Sequence, residues 1–220
     1  MTVTTLRRRG TVLFFALLVR PALLLFTGLR ATGREHLPAA GPAVVAPNHN
    51  SHLDIVAVMS LFPLRLLHRV RPVAAADHFL KPGAVGWLAR NVLGIIPIDR
   101  SGKGAEAVLA PVDEALRRGE IVIIFPEGTR GEPEVMQRFR RGVTVLAGRF
   151  PGVPFVPVWL GGLGKSLPRG EWRFVPFAAE ARVGAAHRGA DPGAPAMAER
   201  LEADMATLSA GSPLTGFSPE

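Results

Sequence analysis

Ala43-Val44-Val45-Ala46-Pro47-Asn48-His49-Asn50-Ser51-His52-Leu53-Asp54-Ile55-Val56-Ala57-Val58-Met59-Ser60-Leu61 decides the fold class. Ala43–Ala46 is a short apolar run that reads as a strand. A polar turn follows, and Ile55–Leu61 fits a helix. Strand, turn and helix in immediate succession make a βα unit. Outward from it the pattern repeats. Strands are expected at Val73–Ala75, Ile95–Ile98, Ile121–Phe125, Phe155–Trp159, Trp172–Val175 and Glu180–Val183, and helices at Gly83–Val92, Ala105–Arg118, Gly142–Phe150 and Pro195–Leu208. In Ala105–Arg118, apolar Val108, Leu109, Val112, Ala115 and Leu116 recur at helical spacing. The expected architecture is α/β, a central mixed sheet flanked by helices. Ala185–Ala194 reads as a loop. The expected organisation is a hydrophobic and basic segment over 1–32, a folded domain over 33–208 and a disordered tail over 209–220.

Composition narrows the chemistry. The chain has 220 residues and no cysteine, which excludes a disulfide framework, a thiolate metal site and a cysteine nucleophile. Gly and Pro number 24 and 20, high but below the range of low-complexity disorder. A chain this long buries one good-sized core. Through Lys103 there are 13 basic and 4 acidic side chains, a net of +9, while the remainder carries 13 and 14, a net of −1. The positive charge of the N-terminal half points to an anionic partner. Nucleic acid is not expected, because the apolar fraction is 48% and no nucleic-acid motif appears.

The basic residues flank an apolar N-terminus. Arg7-Arg8-Arg9 precedes Val12–Val19, then Arg20-Pro21, then Ala22–Phe26 and Arg30. A helix over 12–29 would be about 27 Å long, close to the hydrocarbon thickness of a bilayer. As a span it would hold Arg20 near the bilayer centre, at a cost of roughly 2.5–3.5 kcal/mol, with Pro21 adding a kink. As a secretory signal it lacks a continuous apolar core and a clear cleavage site. A buried soluble helix is a further alternative. The reading adopted is a kinked, shallowly inserted helix pair, with Arg20 reaching lipid headgroups.

Polar residues capable of chemistry cluster just past two strands. His49 precedes Asp54 by five residues across a strand-to-helix turn, which can bring imidazole and carboxylate together as a general base and its orienting partner. The same residues admit two other readings. Ser51-x-x-Asp54 is a capping box, and His49, His52 and Asp54 are all metal-ligand types, although H-x-x-H-x-D matches no standard spacing. The second cluster, Phe125-Pro126-Glu127-Gly128-Thr129-Arg130, offers a guanidinium suited to phosphate and a glycine for tight curvature, or simply an exposed turn. Phe139-Arg140-Arg141-Gly142 adds cations before a helix. Gly94-Ile95-Ile96-Pro97-Ile98-Asp99-Arg100 ends a strand in an acid–base pair that alone reads as a surface salt bridge.

Together these segments resemble the glycerolipid acyltransferases, in particular the 1-acyl-glycerol-3-phosphate acyltransferases. Asn48-His49-x4-Asp54 matches the family's His-x4-Asp block, Gly94–Arg100 resembles the second block, Phe125–Arg130 matches Phe-Pro-Glu-Gly-Thr-Arg in full, and Val156-Pro157-Val158 resembles the fourth. Pro97 stands where many members carry an aromatic residue, and Arg140-Arg141 replaces the usual lysine. The resemblance covers roughly Gly33 to Val183. It implies His49 and Asp54 as catalytic residues, with Glu127, Gly128, Thr129, Arg130 and Arg100 binding substrate and Glu127 contacting an acceptor hydroxyl or positioning Arg130. It further implies a lysophospholipid acceptor, acyl-CoA or acyl-carrier protein as donor, no bound cofactor or metal, and association with the phospholipid surface on the cytoplasmic face of the membrane.

The N-terminal reading is checked by flotation. The full chain is expected to float with anionic liposomes, and a variant beginning near Ala31 to float less. Equal flotation contradicts it.

Overall fold

The structure is a computed structural model and describes residues 3–76, 83–99, 105–129, 135–166, 177–189 and 195–214. Helices α1 (Val3–Phe14) and α2 (Arg20–Thr27) lead into β1 (Arg30–Thr32), β2 (Ala43–Pro47) and α3 (Asp54–Leu61). Then come β3 (Val70–Ala75), α4 (Ala84–Leu88), β4 (Ile96–Ile98), α5 (Ala105–Arg117) and β5 (Ile121–Ile123). The chain continues with α6 (Gly142–Arg149), β6 (Pro154–Gly161), α7 (Leu163–Ser166), β7 (Glu180–Val183), β8 (His187–Arg188) and α8 (Met197–Ala210).

These strands form one mixed sheet in the order β1-β7-β6-β2-β5-β3-β4, with β8 also pairing β6. β2 lies at its centre, parallel to β5 on one side and to β6 on the other. The turn toward antiparallel pairing comes at β6, against β7 and β8. A parallel central strand is covered on both faces, which is why every residue of Ala43–Pro47 is buried. Its side chains alternate between two cores: Ala43 and Val45 face one, Val44 and Ala46 the other. The first core takes α3 and the N-terminal helix, and the second takes α5, α6 and α8. This is the α/β architecture read from the sequence. Helix α3 has no polar side and is buried almost throughout, so it sits inside the first layer.

Differences from the sequence reading are local. β1 and β8 were not anticipated, because three and two residues are too few to show an apolar alternation. β8 falls inside the stretch read as a loop. The strand expected at Trp172–Val175 lies outside the described residues. Helix α8 runs on to Ala210, and Ser212 Oγ donates to Glu180 Oε2 at 2.7 Å.

The N-terminus corrects one expectation. Residues 3–27 are helical without a break, and Phe15–Val19 forms a π-helical turn just before Pro21. The widened turn accommodates a ring that carries no N–H, so no pair of separate helices results. Phe15, Val19 and Leu23 are buried against the first core, while Leu17, Leu24 and Leu25 are 73%, 71% and 79% exposed. Arg20 does not reach outward to headgroups. Its guanidinium Nη2 donates to the carbonyls of Ser60 at 3.1 Å and Phe62 at 2.5 Å. Arg34 Nη2 donates to the carbonyl between them, Leu61, at 2.6 Å. Both cations satisfy carbonyls at the carboxyl end of α3, where the helix dipole favours positive charge. The reason is steric: Arg20 follows Val19 on the side of the helix that faces protein.

Arg20→Gln is expected to lower unfolding stability by about 1–3 kcal/mol, the range for hydrogen bonds to charged groups. Denaturation of the full chain in mild detergent measures it. An unchanged midpoint contradicts the docked position of Arg20.

Candidate active site

β2 and β5 are adjacent and parallel, pairing Val44 with Val122 and Val45 with Ile123, so their carboxyl ends open on the same edge of the sheet. Both motifs leave from there, the place where open α/β sheets present ligand sites. The loop after β2 is tied first to β6. Asn48 brackets the backbone of Leu160: Nδ2 donates to the carbonyl at 2.9 Å, and Leu160 N donates to Oδ1 at 2.6 Å. Asn50 Nδ2 adds a second bond to the same carbonyl, at 3.1 Å. These buried amides fix the path of the residue between them, His49.

His49 meets Asp54 as expected. Nδ1 lies 2.9 Å from Oδ2, the imidazole side chain is 18% exposed, and the carboxylate is fully buried. The Asp54 oxygen also accepts the backbone N–H groups of Asn50 and Ser51, each at 2.7 Å. That second pair of bonds is the carboxylate half of a capping box. The base-orienting and capping readings are therefore one arrangement, served by one oxygen. Ser51 Oγ accepts from Leu53 N at 3.3 Å, which supports the start of α3. Because a carboxylate only accepts, the Nδ1 of His49 carries the hydrogen, leaving Nε2 with its lone pair. Among the described residues Nε2 has no partner. The ring stacks on Phe125, with centroids 4.0 Å apart and planes at 27°. No group of three or more His, Asp or Glu among the described residues is arranged to hold a metal, and His52 is exposed.

Glu127 joins the two motifs. Its Oε1 accepts from His49 N at 2.7 Å and its Oε2 from Gln137 N at 3.0 Å. Both carboxylate oxygens, expected near an acceptor or Arg130, are thus bonded to backbone. Burial raises the Glu127 pKa from its ordinary value to about 7, and the nearby Asp54 charge adds to the rise, against the two backbone N–H bonds that lower it. Gly128 has φ 77°, and a Cβ there would come within 2.6 Å of Arg140 Nε. Arg140 Nε donates to the Glu127 carbonyl at 3.0 Å, so the glycine is needed for both backbone and space. Thr129 Oγ1 lies at the surface, 3.5 Å from Gln137 Oε1. Arg130 and Arg100 lie outside the described residues. A surface cleft of about 490 Å³ runs between Arg138 and Glu202, and its lining includes none of the His49, Asp54 and Glu127 set.

Several contributors escaped the sequence reading. Asn50 and Phe125 lie inside the two motifs without a role of their own in the sequence reading, and Gln137 gave no signal. Arg140, in the sequence one of the cations before a helix, is a strap across Gly128.

With this geometry in view, the comparisons define the class. A family model described as Acyltransferase matches residues 28–161, more than half of the chain. The chain belongs to that family. It is 33% identical over 140 residues to the chloroplastic 1-acyl-sn-glycerol-3-phosphate acyltransferase BAT2 of Brassica napus, covering 63% of this chain and 38% of that protein. It is 34% identical over 184 residues to the human alpha form, covering 80% and 62%. The chain thus spans about two fifths to three fifths of the length of these relatives. The crystal structure of the 1-acyl-sn-glycerophosphate acyltransferase PlsC from Thermotoga maritima shares the fold, with a TM-score of 0.73, 22% identity, and coverage of 94% of this chain and 82% of that one.

The raised Glu127 pKa has a consequence for stability. Folding favours the protonated form, so the folded state binds more protons than the unfolded state between pH 4.5 and 7. Stability is therefore expected to fall as pH rises through that window, by on the order of 3 kcal/mol. Glu127→Gln removes the ionisation and is expected to flatten this part of the curve. Parallel pH profiles for the two proteins, by denaturation at pH 5 and 7.5, would contradict the assignment.

Proposed function

We propose that this chain transfers a fatty acyl group from an acyl thioester to the free hydroxyl of a lysophospholipid, with 1-acyl-glycerol-3-phosphate as acceptor and phosphatidic acid as product. The observation that carries the reading is the 2.9 Å contact of His49 Nδ1 with Asp54 Oδ2, together with an Nε2 that has no partner among the described residues. The 1-acyl-sn-glycerol-3-phosphate acyltransferases among the relatives support the acceptor.

His49 Nε2 takes the proton of the acceptor hydroxyl as the oxygen attacks the thioester carbonyl. The Asp54 carboxylate stabilises the imidazolium that forms. The tetrahedral intermediate collapses, the C–S bond breaks, and the proton passes to the departing thiolate. The acceptor oxygen occupies the nucleophile's place, so Ser51, engaged at the start of α3, forms no acyl intermediate. Arg130 and Arg100 supply guanidiniums for the acceptor's phosphate, as the motif resemblance implies. Glu127, Gly128 and Thr129 shape the wall beneath that phosphate. The donor is acyl-CoA or acyl-carrier protein, and no further cofactor takes part.

The enzyme works at a membrane surface, on the cytoplasmic face, with the outer leucines of the helix over 3–27 in lipid. An 18-residue window within Arg8–Thr27 has a mean hydropathy of 2.0, enough for a span by length and composition. Its inner stripe is committed to the domain core, which favours lying along the surface over crossing. Residues 33–208 form the catalytic domain on this reading, with 1–32 as its membrane-associating segment and 209–220 as a tail.

The test is a panel of acceptors offered with one labelled acyl thioester in mixed micelles. Transfer is expected with the phosphorylated monoacylglycerol and far less without the phosphate. His49→Ala is expected to reduce turnover at least about a hundredfold, with the fold retained. Asp54→Asn is expected to be comparably damaging. Near-native turnover by Asp54→Asn would leave that residue only its capping role, and equal use of unphosphorylated acceptor would remove the phosphate site.

A further inference from the structure

The carboxyl end of α3 gathers positive charge with no carboxylate paired to it among the described residues. Arg20 and Arg34 both donate to its last carbonyls, and burial together with the Arg34 charge lowers the Arg20 pKa. Among the described residues neither arginine has a carboxylate within ion-pair distance, and neither does Arg65 nearby. Arg34 and Arg65 both line a cleft of about 220 Å³ whose remaining lining includes Leu37, Leu61, Pro63 and Leu66 and no acidic residue. Arg65 is exposed and makes no hydrogen bond among the described residues. It belongs to the turn Leu64–Arg69, which packs against α1. One wall of the cleft therefore belongs to an element packed on the N-terminal helix, whose outer leucines are bare.

Two guanidiniums over an apolar floor match an amphiphile with a phosphate at its head. We propose that Arg34 and Arg65 bind the phosphate of an anionic phosphate compound, a lipid headgroup or free phosphate. In the lipid case the glycerol and first methylenes rest on Leu37, Leu61, Pro63 and Leu66. The site is separate from His49 and Asp54. They lie at the amino end of α3, and eight helical residues put about 12 Å between the two ends. Its occupant supplies the missing counter-charge to three arginines. A lipid occupant also pins the far end of the helix that carries Asp54 to the membrane. The inference does not require acyl transfer at His49.

Calorimetric titration of the full chain tests it, with monomeric dihexanoyl phosphatidylglycerol and inorganic phosphate as separate titrants at matched ionic strength. Saturable binding is expected in the wild type. Arg65→Gln is expected to weaken it at least about fivefold, the weight of one arginine near an anionic headgroup. Arg9→Gln, which removes an exposed N-terminal charge, is expected to leave it unchanged. This choice of variants spares Arg34, whose loss would also uncap α3. Binding of the lipid well above that of phosphate identifies a headgroup site, and equal binding identifies phosphate itself as the ligand. Absence of binding by both, an unweakened Arg65→Gln, or an Arg9→Gln weakened to the same degree would overturn the proposal.

Discussion

One oxygen, Asp54 Oδ2, accepts from His49 Nδ1 and from the backbone N–H groups of Asn50 and Ser51. A fully buried carboxylate is costly unless donors surround it, and here the donors come from the loop that it must also organise. The loop curls so that three consecutive residues converge on one acceptor at the amino end of α3, where the helix dipole favours negative charge. His49 is thereby held in one tautomer. The remaining ties follow from that constraint: Asn48 and Asn50 clamp the loop to Leu160 in β6, and Glu127 clamps it to the loop after β5. Three neighbouring strands thus fix one imidazole.

Helix α3 links this site to the outer face of the protein. Its amino end holds Asp54, and its carboxyl end is capped by Arg20 from the N-terminal helix and by Arg34. The N-terminal helix buries Phe15, Val19 and Leu23 and leaves a leucine stripe bare. The helix with the bare leucine stripe and the His49–Asp54 pair are therefore joined through a single short element. On the proposed reading, in which this helix lies on the bilayer and the acceptor is a one-chain lipid, a site fixed to the helix can draw that lipid sideways from the membrane. The same arginines that fasten the helix form the cationic end of α3.

Much of the architecture was legible because the apolar runs are strong. Ala43–Ala46, Glu180–Val183 and the helix beginning at Ala105 declare themselves by burial pattern or by helical spacing. The pairing of His49 with Asp54 was legible because both are polar groups at the mouth of one βα turn. Glu127 was legible as part of the motif after β5 but not as a brace, since its partners are backbone N–H groups that no side-chain pattern encodes. The bonds of Asn48 and Asn50 to Leu160 span more than a hundred residues of sequence and depend on β2 and β6 being neighbours. Arg20 misled for a similar reason. In a basic, apolar segment an arginine reads as a headgroup anchor, and only the tertiary packing shows that it points inward.

The tautomer of His49 is the most direct test of the claim that Asp54 sets the base. Nitrogen NMR of ¹⁵N-histidine-labelled full chain, at a pH where His49 is neutral, reports which ring nitrogen carries the hydrogen. Comparison with His49→Gln assigns the resonance. A protonated Nδ1 and a bare Nε2 are predicted in the wild type, with the preference lost or weakened in Asp54→Asn. A wild-type ring protonated on Nε2, or a tautomer unchanged by Asp54→Asn, would contradict it.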